Sequence, residues 1–516
     1  MKPQAMIATS QPLAVSAALD VLKSGGNAVD AAVCAVAMLG VVEPMSTGIG
    51  GDCFAIVYEA KTGKLHGLNG SGRAPKAASI QDVHLAGHCA MPEAGILSVT
   101  VPGALHAWQS LLDRFGSRTL SQLLQPAIRA AQDGFSVTPI IARDWAGQAG
   151  ALARGVNTHA YLPDGRAPQA GEVFRQPELA RSLQFIADQG IGAFYQGVLG
   201  QTIVMQSNRL GGWLSMDDLA SHTSTWVEPI STEYRGCTLH ELPPNGQGVI
   251  VLEALNLLEG FPLAGMAEAD RMHTQIEAIK LAFVDAWRYV ADPDVADVPV
   301  PGLLSKEYTT QRRALIGAQA LQSPTHGFPP SGTVYVTVVD QDGNAVSLIN
   351  SLYEHFGAKV AVERTGILLQ NRGALFSLDP SHPNALAPSK RPYHTIIPAM
   401  VCRDGKPWLC FGVVGGFMQP QAQVQVLCNL IDLKLDLKAA VEAPRFLWKE
   451  GFSILLEKGI PENTQQVLRG KGHQLTLIEG HSGFGGAQAI MIDPTTGTLS
   501  GASDPRKDGC VMSHSF

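Results

Sequence analysis

The hydrophobic pattern of this chain changes period near residue 330, and that change limits the folds open to it. Up to residue 322 the strongest apolar patterns, over residues 119 to 133, 175 to 189, 246 to 260 and 270 to 292, recur at helical spacing. From Thr333 onward VYVTVVD alternates, Gln341-Asp342-Gly343-Asn344 carries the chemistry of a hairpin turn, and AVSLINSLY returns as a second strand. Further strand candidates are IIPAMVC, WLCFGVVG, FSILLE, QLTLIE and QAIMID, with a helix over residues 420 to 434 among them. This segregation favours an α+β layered sandwich with a mainly antiparallel sheet over a doubly wound parallel one. No repeat of roughly 20 to 50 residues is present.

At the change of period a breaker-rich stretch, SPTHGFPPSG, runs without transition into TVYVTVVD, so that Ser331-Gly332-Thr333 marks the junction. A threonine opening a strand after a Pro/Gly loop is ordinary, because β-branched residues favour strands and Gly and Pro favour loops. Cutting the Gly332–Thr333 bond changes its meaning. Thr333 then gains a free amine beside its hydroxyl, and one residue holds both a nucleophile and the base that activates it.

The 516 residues suffice for about three ordinary domains or one large layered domain with a deep core. Apolar content of 45% and charged content of 16% are those of a globular protein. With a net charge of −7 and no Lys/Arg run, neither a nucleic-acid nor a membrane surface is expected. The opening MKPQAMIATSQPLA lacks the basic segment and apolar stretch of a secretory signal, so a cytoplasmic location is expected. The eight cysteines are scattered without C-x-x-C pairs, which speaks for reduced thiols and against zinc or a disulfide framework.

Two Ala-rich helical stretches flank Ser24-Gly25-Gly26-Asn27, and the second, AVDAAVCAVAMLGVV, is apolar nearly all round, as a helix inside a core is. It leads through the glycine-dense Met45 to Asp52 turn into the strand-like CFAIVYEA. Signatures of a phosphate loop, a zinc helix and a G-x-S-x-G elbow are absent; Gly480-His481-Ser482-Gly483 comes nearest, but Phe484 fills the last position. Gly415-Gly416 sits between a strand and a helix, where paired glycines serve either a tight turn or an oxyanion hole. Arg73 and Arg372 lie in Gly-bearing segments poor in charge, a setting for a carboxylate clamp as well as for a structural pair. Among fifteen histidines, His355 and His394 stand out only for their neighbours.

Taken together, T-x-x-x-T-V-V-D-x-D-G-N-A-V from Thr333 to Val346, GILLQN, KRP, VVGG and the terminal GASDPRKDG resemble the small subunit of γ-glutamyltransferases. SGGNAVDAA, TGIGGDCF, TVPGALHAW, QPAIRAAQDGF and AIKLAFVDAWRYVADP resemble the large subunit, so the likeness runs nearly end to end. The resemblance implies an N-terminal nucleophile hydrolase with a four-layer αββα sandwich, made as an inactive precursor that cuts itself between Gly332 and Thr333. Residues 1–332 would form the large subunit and 333–516 the small one, together one interleaved domain. It further implies Thr333 as nucleophile, Ser351 as the hydroxyl supporting it, and Gly415 and Gly416 as the oxyanion pair. Gly332, lacking a Cβ, would tolerate a strained backbone and leave its carbonyl approachable.

The substrate-binding positions depart from the glutamyl pattern. Where the family holds an α-amino group with Asp this chain has Leu375; Tyr353 replaces an Asn, His394-Thr395 replace paired serines, and Ser71 replaces the carboxylate-gripping Arg, with Arg73 two residues on. A desolvated ammonium without its carboxylate costs several kcal/mol. The expected substrate is therefore a small amide carrying a carboxylate but no α-amine, held by Arg73 or Arg372. This is similar to the amidohydrolase branch that includes oxamate amidohydrolases of purine breakdown and dicarboxyl-type cephalosporin acylases. The expected compound is oxamate, giving oxalate and ammonia; the alternative is a γ-glutamyltransferase or glutathione hydrolase, or a dicarboxyl-type cephalosporin acylase. No metal or organic cofactor is implied, and a homodimer of processed heterodimers is compatible with this scheme.

Overall fold

The computed structural model describes residues 5–322, 332–480 and 483–515. Ser331 of the junction and His481 and Ser482 lie outside the described residues.

Two antiparallel sheets lie face to face. The first has seven strands in the order Cys510–His514, Ala5–Thr9, Gly332–Val339, Ala345–Tyr353, Asp52–Glu59, Lys64–Asn69, Thr225–Val227. The second has six, in the order Leu499–Ser503, Gly486–Ile492, Lys406–Val414, Ala399–Arg403, Cys237–Glu241, Ile230–Tyr234. The expected hairpin is present, with Val338 opposite Val346 and Tyr335 opposite Ile349.

Alternation along these strands distributes their side chains between two cores. Val334, Val336 and Val338 face the helices Pro12–Lys23, Ala28–Val42, Ala104–Phe115 and Leu120–Asp133. Tyr335 and Val339 point the other way, into an inter-sheet core with Phe54, Ile349, Met400 and Ile490. Behind the second sheet pack Gly248–Leu258, Glu268–Tyr289 and Met418–Ile431. The result is the expected four-layer αββα sandwich. By period-two parity Thr333 and Ser351 belong to the inter-sheet side of their strands, with Tyr335 and Ile349. The site thus lies between the sheets by construction.

The helix Ala28–Val42 is buried on every side, as its all-round apolar sequence requires. A capping box between Asn27 and Asp30 satisfies its first amides. Two features depart from the sequence reading. The first half of the chain contributes strands to both sheets, and Ala5–Thr9 lies directly beside the strand Gly332–Val339. A small third sheet contains a parallel pair, Ser453–Glu457 with Gln474–Ile478. All eight cysteines are free, as expected of reduced thiols. No helix among the described residues is long and apolar enough to cross a membrane.

The chain approaching the junction is tied down by buried polar groups. Leu321 N–H donates to Glu277 Oε2 at 2.8 Å, Lys280 Nζ donates to the Leu321 carbonyl at 3.2 Å, and the Gly317 carbonyl lies 2.9 Å from His273 Nε2. Lys280 also pairs with Glu277 Oε1 at 2.8 Å. That ammonium already occupies the carboxylate shared by the His273–Glu277–His473 group.

Candidate active site

Three oxygens converge at the start of the strand Gly332–Val339. Thr333 Oγ1 donates to the Gly332 carbonyl at 2.8 Å and lies 3.0 Å from Ser351 Oγ, which itself lies 2.9 Å from the same carbonyl. A bulge between Asn350 and Tyr353 lets Tyr353 pair back with Gly332 and closes the end of the hairpin around them. The Tyr353 amide donates to Ser351 Oγ at 2.8 Å. Tyr353 itself has φ of +79°, the left-handed region that L residues rarely adopt. Thr333 is 2% exposed, so a nucleophile here works in a water-poor environment.

Space sets the demand for glycine at 332. A Cβ there would lie 2.5 Å from His355 Cδ2, 2.9 Å from the Met45 carbonyl oxygen and 3.1 Å from Ser46 Cα. Two of these neighbours are backbone, so Gly332→Ala must displace the strand end that carries Thr333. The expected result is precursor cleavage slowed at least tenfold on denaturing gels, with wild-type cleavage kinetics contradicting this reading.

Arg372 carries the cluster onward. Its Nη2 reaches Ser351 Oγ at 3.2 Å and its Nη1 donates to Thr395 Oγ1 at 2.7 Å. The guanidinium lies 4.6 Å from the centroid of the Tyr353 ring, a cation–π contact. Arg372 is fully buried; burial pushes its pKa down to about 10, which leaves it charged at neutral pH. Its Nε has no partner among the described residues. Gln247 then links the far side, donating from Nε2 to the Thr395 carbonyl at 2.7 Å and the Gly416 carbonyl at 3.0 Å. Thr333, Ser351, Arg372, Thr395, Gln247 and Gly416 thus form one continuous polar network.

Gly415 and Gly416 have φ of +118° and +59°, a turn that suits glycine. Their carbonyls accept the N–H groups of Met418 and Gln419 at the start of the helix Met418–Ile431, and trans-peptide geometry turns the Gly416 N–H in the opposite sense.

Asp52 and His394 are a second buried pair, and sequence reasoning missed Asp52. Asp52 Oδ1 accepts from Gly72 N, Gly103 N and Gln370 Nε2 at 3.0, 3.2 and 2.9 Å, while Oδ2 lies 3.0 Å from His394 Nε2. Because His394 Nδ1 accepts from Ile396 N, the proton resides on Nε2 and is donated to Asp52. Burial raises the Asp52 pKa, but the bonds and charges of His394, Arg372 and Gln370 outweigh it and hold the carboxyl below its usual range. Neither His394 nitrogen is left for a substrate. The histidine stacks on Phe54 at 4.6 Å and braces the segment that presents Thr395.

These groups make the fold acid-sensitive. Burial followed by Arg372 pushes His394 to about 3, burial followed by His106 does the same for His222, and burial followed by Lys280 for His473. A folded pKa below the unfolded ~6.5 means the unfolded chain binds more protons as pH falls below ~6.5. Stability is then lost progressively toward pH 3, by about 2 kcal/mol per histidine at pH 5. Asp52, also depressed, adds its loss at lower pH still. Calorimetry should show Tm falling clearly between pH 7.5 and 5; an unchanged Tm contradicts these assignments.

Arg73 is drawn elsewhere. Its guanidinium binds Asp292 at 3.2 Å and Asp294 at 2.9 Å. Ser71 hydrogen-bonds with Asn245, and its carbonyl accepts from Arg391, a buried arginine also bonded to Thr225. The two sequence-predicted arginines are therefore not equivalent, and only Arg372 joins the Thr333 cluster.

On the other side of Tyr353 opens a cavity of about 1020 Å³, lined by Leu375, Tyr393, Phe417, Trp287 and Arg288 among others. Tyr353 is common to cavity wall and cluster.

Comparison with known proteins agrees with this geometry. The Gamma-glutamyltranspeptidase family model matches residues 14–514. The chain is 39% identical to the glutathione hydrolase-like YwrD proenzyme of Bacillus subtilis, covering 98% of each, and 33% identical to the oxamate amidohydrolase proenzyme of Klebsiella pneumoniae, covering 97% of each. The crystal structure of cephalosporin acylase from Bacillus halodurans superposes with a TM-score of 0.95 at 45% identity, covering 100% of this chain and 96% of that one. Fold, end-to-end match and relatives agree: this chain belongs to the gamma-glutamyltranspeptidase family and is an N-terminal nucleophile amidohydrolase.

Proposed function

We propose that the chain is a precursor that cuts itself between Gly332 and Thr333 and then hydrolyses an amide whose acyl part carries a carboxylate. The observation that carries this reading is the contact of Thr333 Oγ1 with both the Gly332 carbonyl and Ser351 Oγ. Attack of Thr333 Oγ1 on the Gly332 carbonyl, an N-to-O acyl shift and hydrolysis of the ester release a new amine on Thr333. Fragments 1–332 and 333–516 stay together, since Ala5–Thr9 and Asp52–Glu59 pair with Gly332–Val339 and Ala345–Tyr353. Within the first fragment, bonds from Glu277, Lys280 and His273 hold the segment up to Leu321 in place.

In the mature enzyme the Thr333 amine, with a reference pKa of ~8, is the base for its own hydroxyl. Ser351 holds that hydroxyl, and the N–H groups at Gly415 and Gly416 receive the oxyanion. The acyl-enzyme then loses its amine and is hydrolysed by water. Arg372, charged and without a carboxylate partner within bonding distance among the described residues, holds the substrate carboxylate with Thr395. Arg73, already paired to two aspartates, takes no part. No metal or cofactor enters the scheme.

Tyr353 divides two substrate sizes. Oxamate, the smallest amide of this class, would be held beside Arg372, which is fully buried and is not among the residues lining the cavity. The cavity beyond, at the upper end of the ~300–1,000 Å³ typical of clefts for drug-sized ligands, favours a bulkier carboxylated amide of the kind a dicarboxyl-type acylase takes. Leu375, standing where the family has an Asp, offers nothing to an α-ammonium, although Glu93, Glu354 and Asp379 also line this cavity. Assays with oxamate, glutaryl-p-nitroanilide and γ-glutamyl-p-nitroanilide decide the matter. Turnover of either carboxylated amide lacking an α-amine is expected, and turnover of the γ-glutamyl compound alone contradicts the proposal.

A further inference from the structure

His355 has no part in the scheme above, yet it touches the residue whose bond is cut. It sits in the turn after the strand Ala345–Tyr353, which is fixed by Leu352 N donating to the Ser46 carbonyl at 3.1 Å and Phe356 N to the Met45 carbonyl at 2.7 Å. Met45, Ser46 and His355 form the wall against which Gly332 packs, with His355 Cδ2 2.5 Å from where a Cβ at 332 would lie. The ring atom bonded to Cδ2 is Nε2, so a nitrogen lies one bond from the contact. His355 is half-buried, and among the described residues it makes no hydrogen bond.

The charges facing it keep it neutral. Burial comes first, then Lys507, against the opposing effect of Asp144, with Lys359 and Arg143 adding to Lys507; together they push the imidazole to about 4. Lys507 is itself held in place by Glu43 at 3.5 Å and Asp144 at 3.7 Å. A neutral imidazole packed against Gly332, with no hydrogen-bond partner among the described residues, can accept a proton from water. In the ester the Thr333 amine is free beside Oγ1, and His355 is a second neutral base, facing Gly332 from the side of Met45 and Ser46.

We propose that His355 is the general base for the second half of self-cleavage, the hydrolysis of the Gly332–Thr333 ester. This rests on the self-cleavage reading. Water gives a proton to the imidazole as its oxygen adds to the Gly332 carbonyl carbon. The tetrahedral intermediate then breaks the carbon–Oγ1 bond, and the imidazolium returns the proton to Thr333 Oγ1. The products are the Gly332 carboxylic acid, which ionises, and Thr333 with a free hydroxyl and amine.

The test follows loss of full-length precursor with time for wild type, Thr333→Ala, His355→Gln and His355→Glu, with and without hydroxylamine. His355→Gln should slow cleavage by about 10² or more, the usual range for a lost general base. His355→Glu, which restores a base, should recover part of the rate. Hydroxylamine attacks an ester without help and should restore fragment formation in His355→Gln but not in Thr333→Ala. Wild-type cleavage kinetics in His355→Gln, or slow cleavage that neither hydroxylamine nor Glu accelerates, overturns the proposal. Normal cleavage of Thr333→Ala would instead overturn the self-cleavage reading.

Discussion

Thr333→Ala is expected to leave a single full-length chain of 54.7 kDa and no amidase activity, a loss of at least a thousandfold on both counts. The substitution removes the only atom that contacts both Ser351 Oγ and the Gly332 carbonyl from within the scissile pair. No neighbour replaces it, because Ser351 Oγ is already engaged by the Tyr353 amide and by Arg372. The fold itself should survive. The lost hydrogen bonds are worth about 1 kcal/mol each, and Ser351 keeps its own bond to the Gly332 carbonyl. Thermal melting near the wild-type temperature, together with an uncut chain on a denaturing gel, separates a lost nucleophile from a lost structure. Thr333→Ser, which keeps the hydroxyl, should still be cut.

Arg372→Met should divide stability from function. A fully buried guanidinium whose nearest carboxylates, on Asp52 and Glu354, act only at long range has costs of desolvation that no ion pair offsets. Replacing such a charge by an apolar chain of similar length is often neutral or stabilising by about 1–4 kcal/mol. The same change deprives a substrate carboxylate of its fork of donors. It should reduce kcat/KM on carboxylated amides by about 10²–10³, the consequence of leaving a desolvated carboxylate unpaired. Unaltered or raised Tm with that kinetic loss supports the clamp; unaltered kcat/KM rules it out. Arg73→Met, which breaks pairs to Asp292 and Asp294 away from Thr333, should leave kcat/KM within a few fold.

What could be read from the sequence is what depends on short-range pattern. Period-two alternation placed Thr333 and Ser351 on strands joined by a hairpin, and parity puts both on the inter-sheet side, where their hydroxyls meet. The all-round apolar helix at residues 28 to 42 had to be internal, and it is. Contacts between distant segments were not legible. Asp52 and His394 are 342 positions apart, and nothing near either announces the other. Arg73 and Arg372 look alike in sequence; the carboxylates that claim Arg73 lie some two hundred residues downstream. The strand Ala5–Thr9 is five residues long, too short for its pattern alone to declare it, and its place between the C-terminal strand and Gly332–Val339 makes it a strand. Backbone strain and carbonyl access are local reasons for glycine at 332; the packing of His355 and Met45-Ser46 against it supplies a spatial reason no local pattern contains.

The mass of the small fragment tests the central claim most directly. Purified protein should separate under denaturing conditions into two chains, the smaller with Thr333 as its first residue. Brief incubation with a slowly turned-over carboxylated amide should add the acyl mass to that fragment at Thr333. A small fragment beginning at any other residue, or an uncut chain that turns over the amide, contradicts the account.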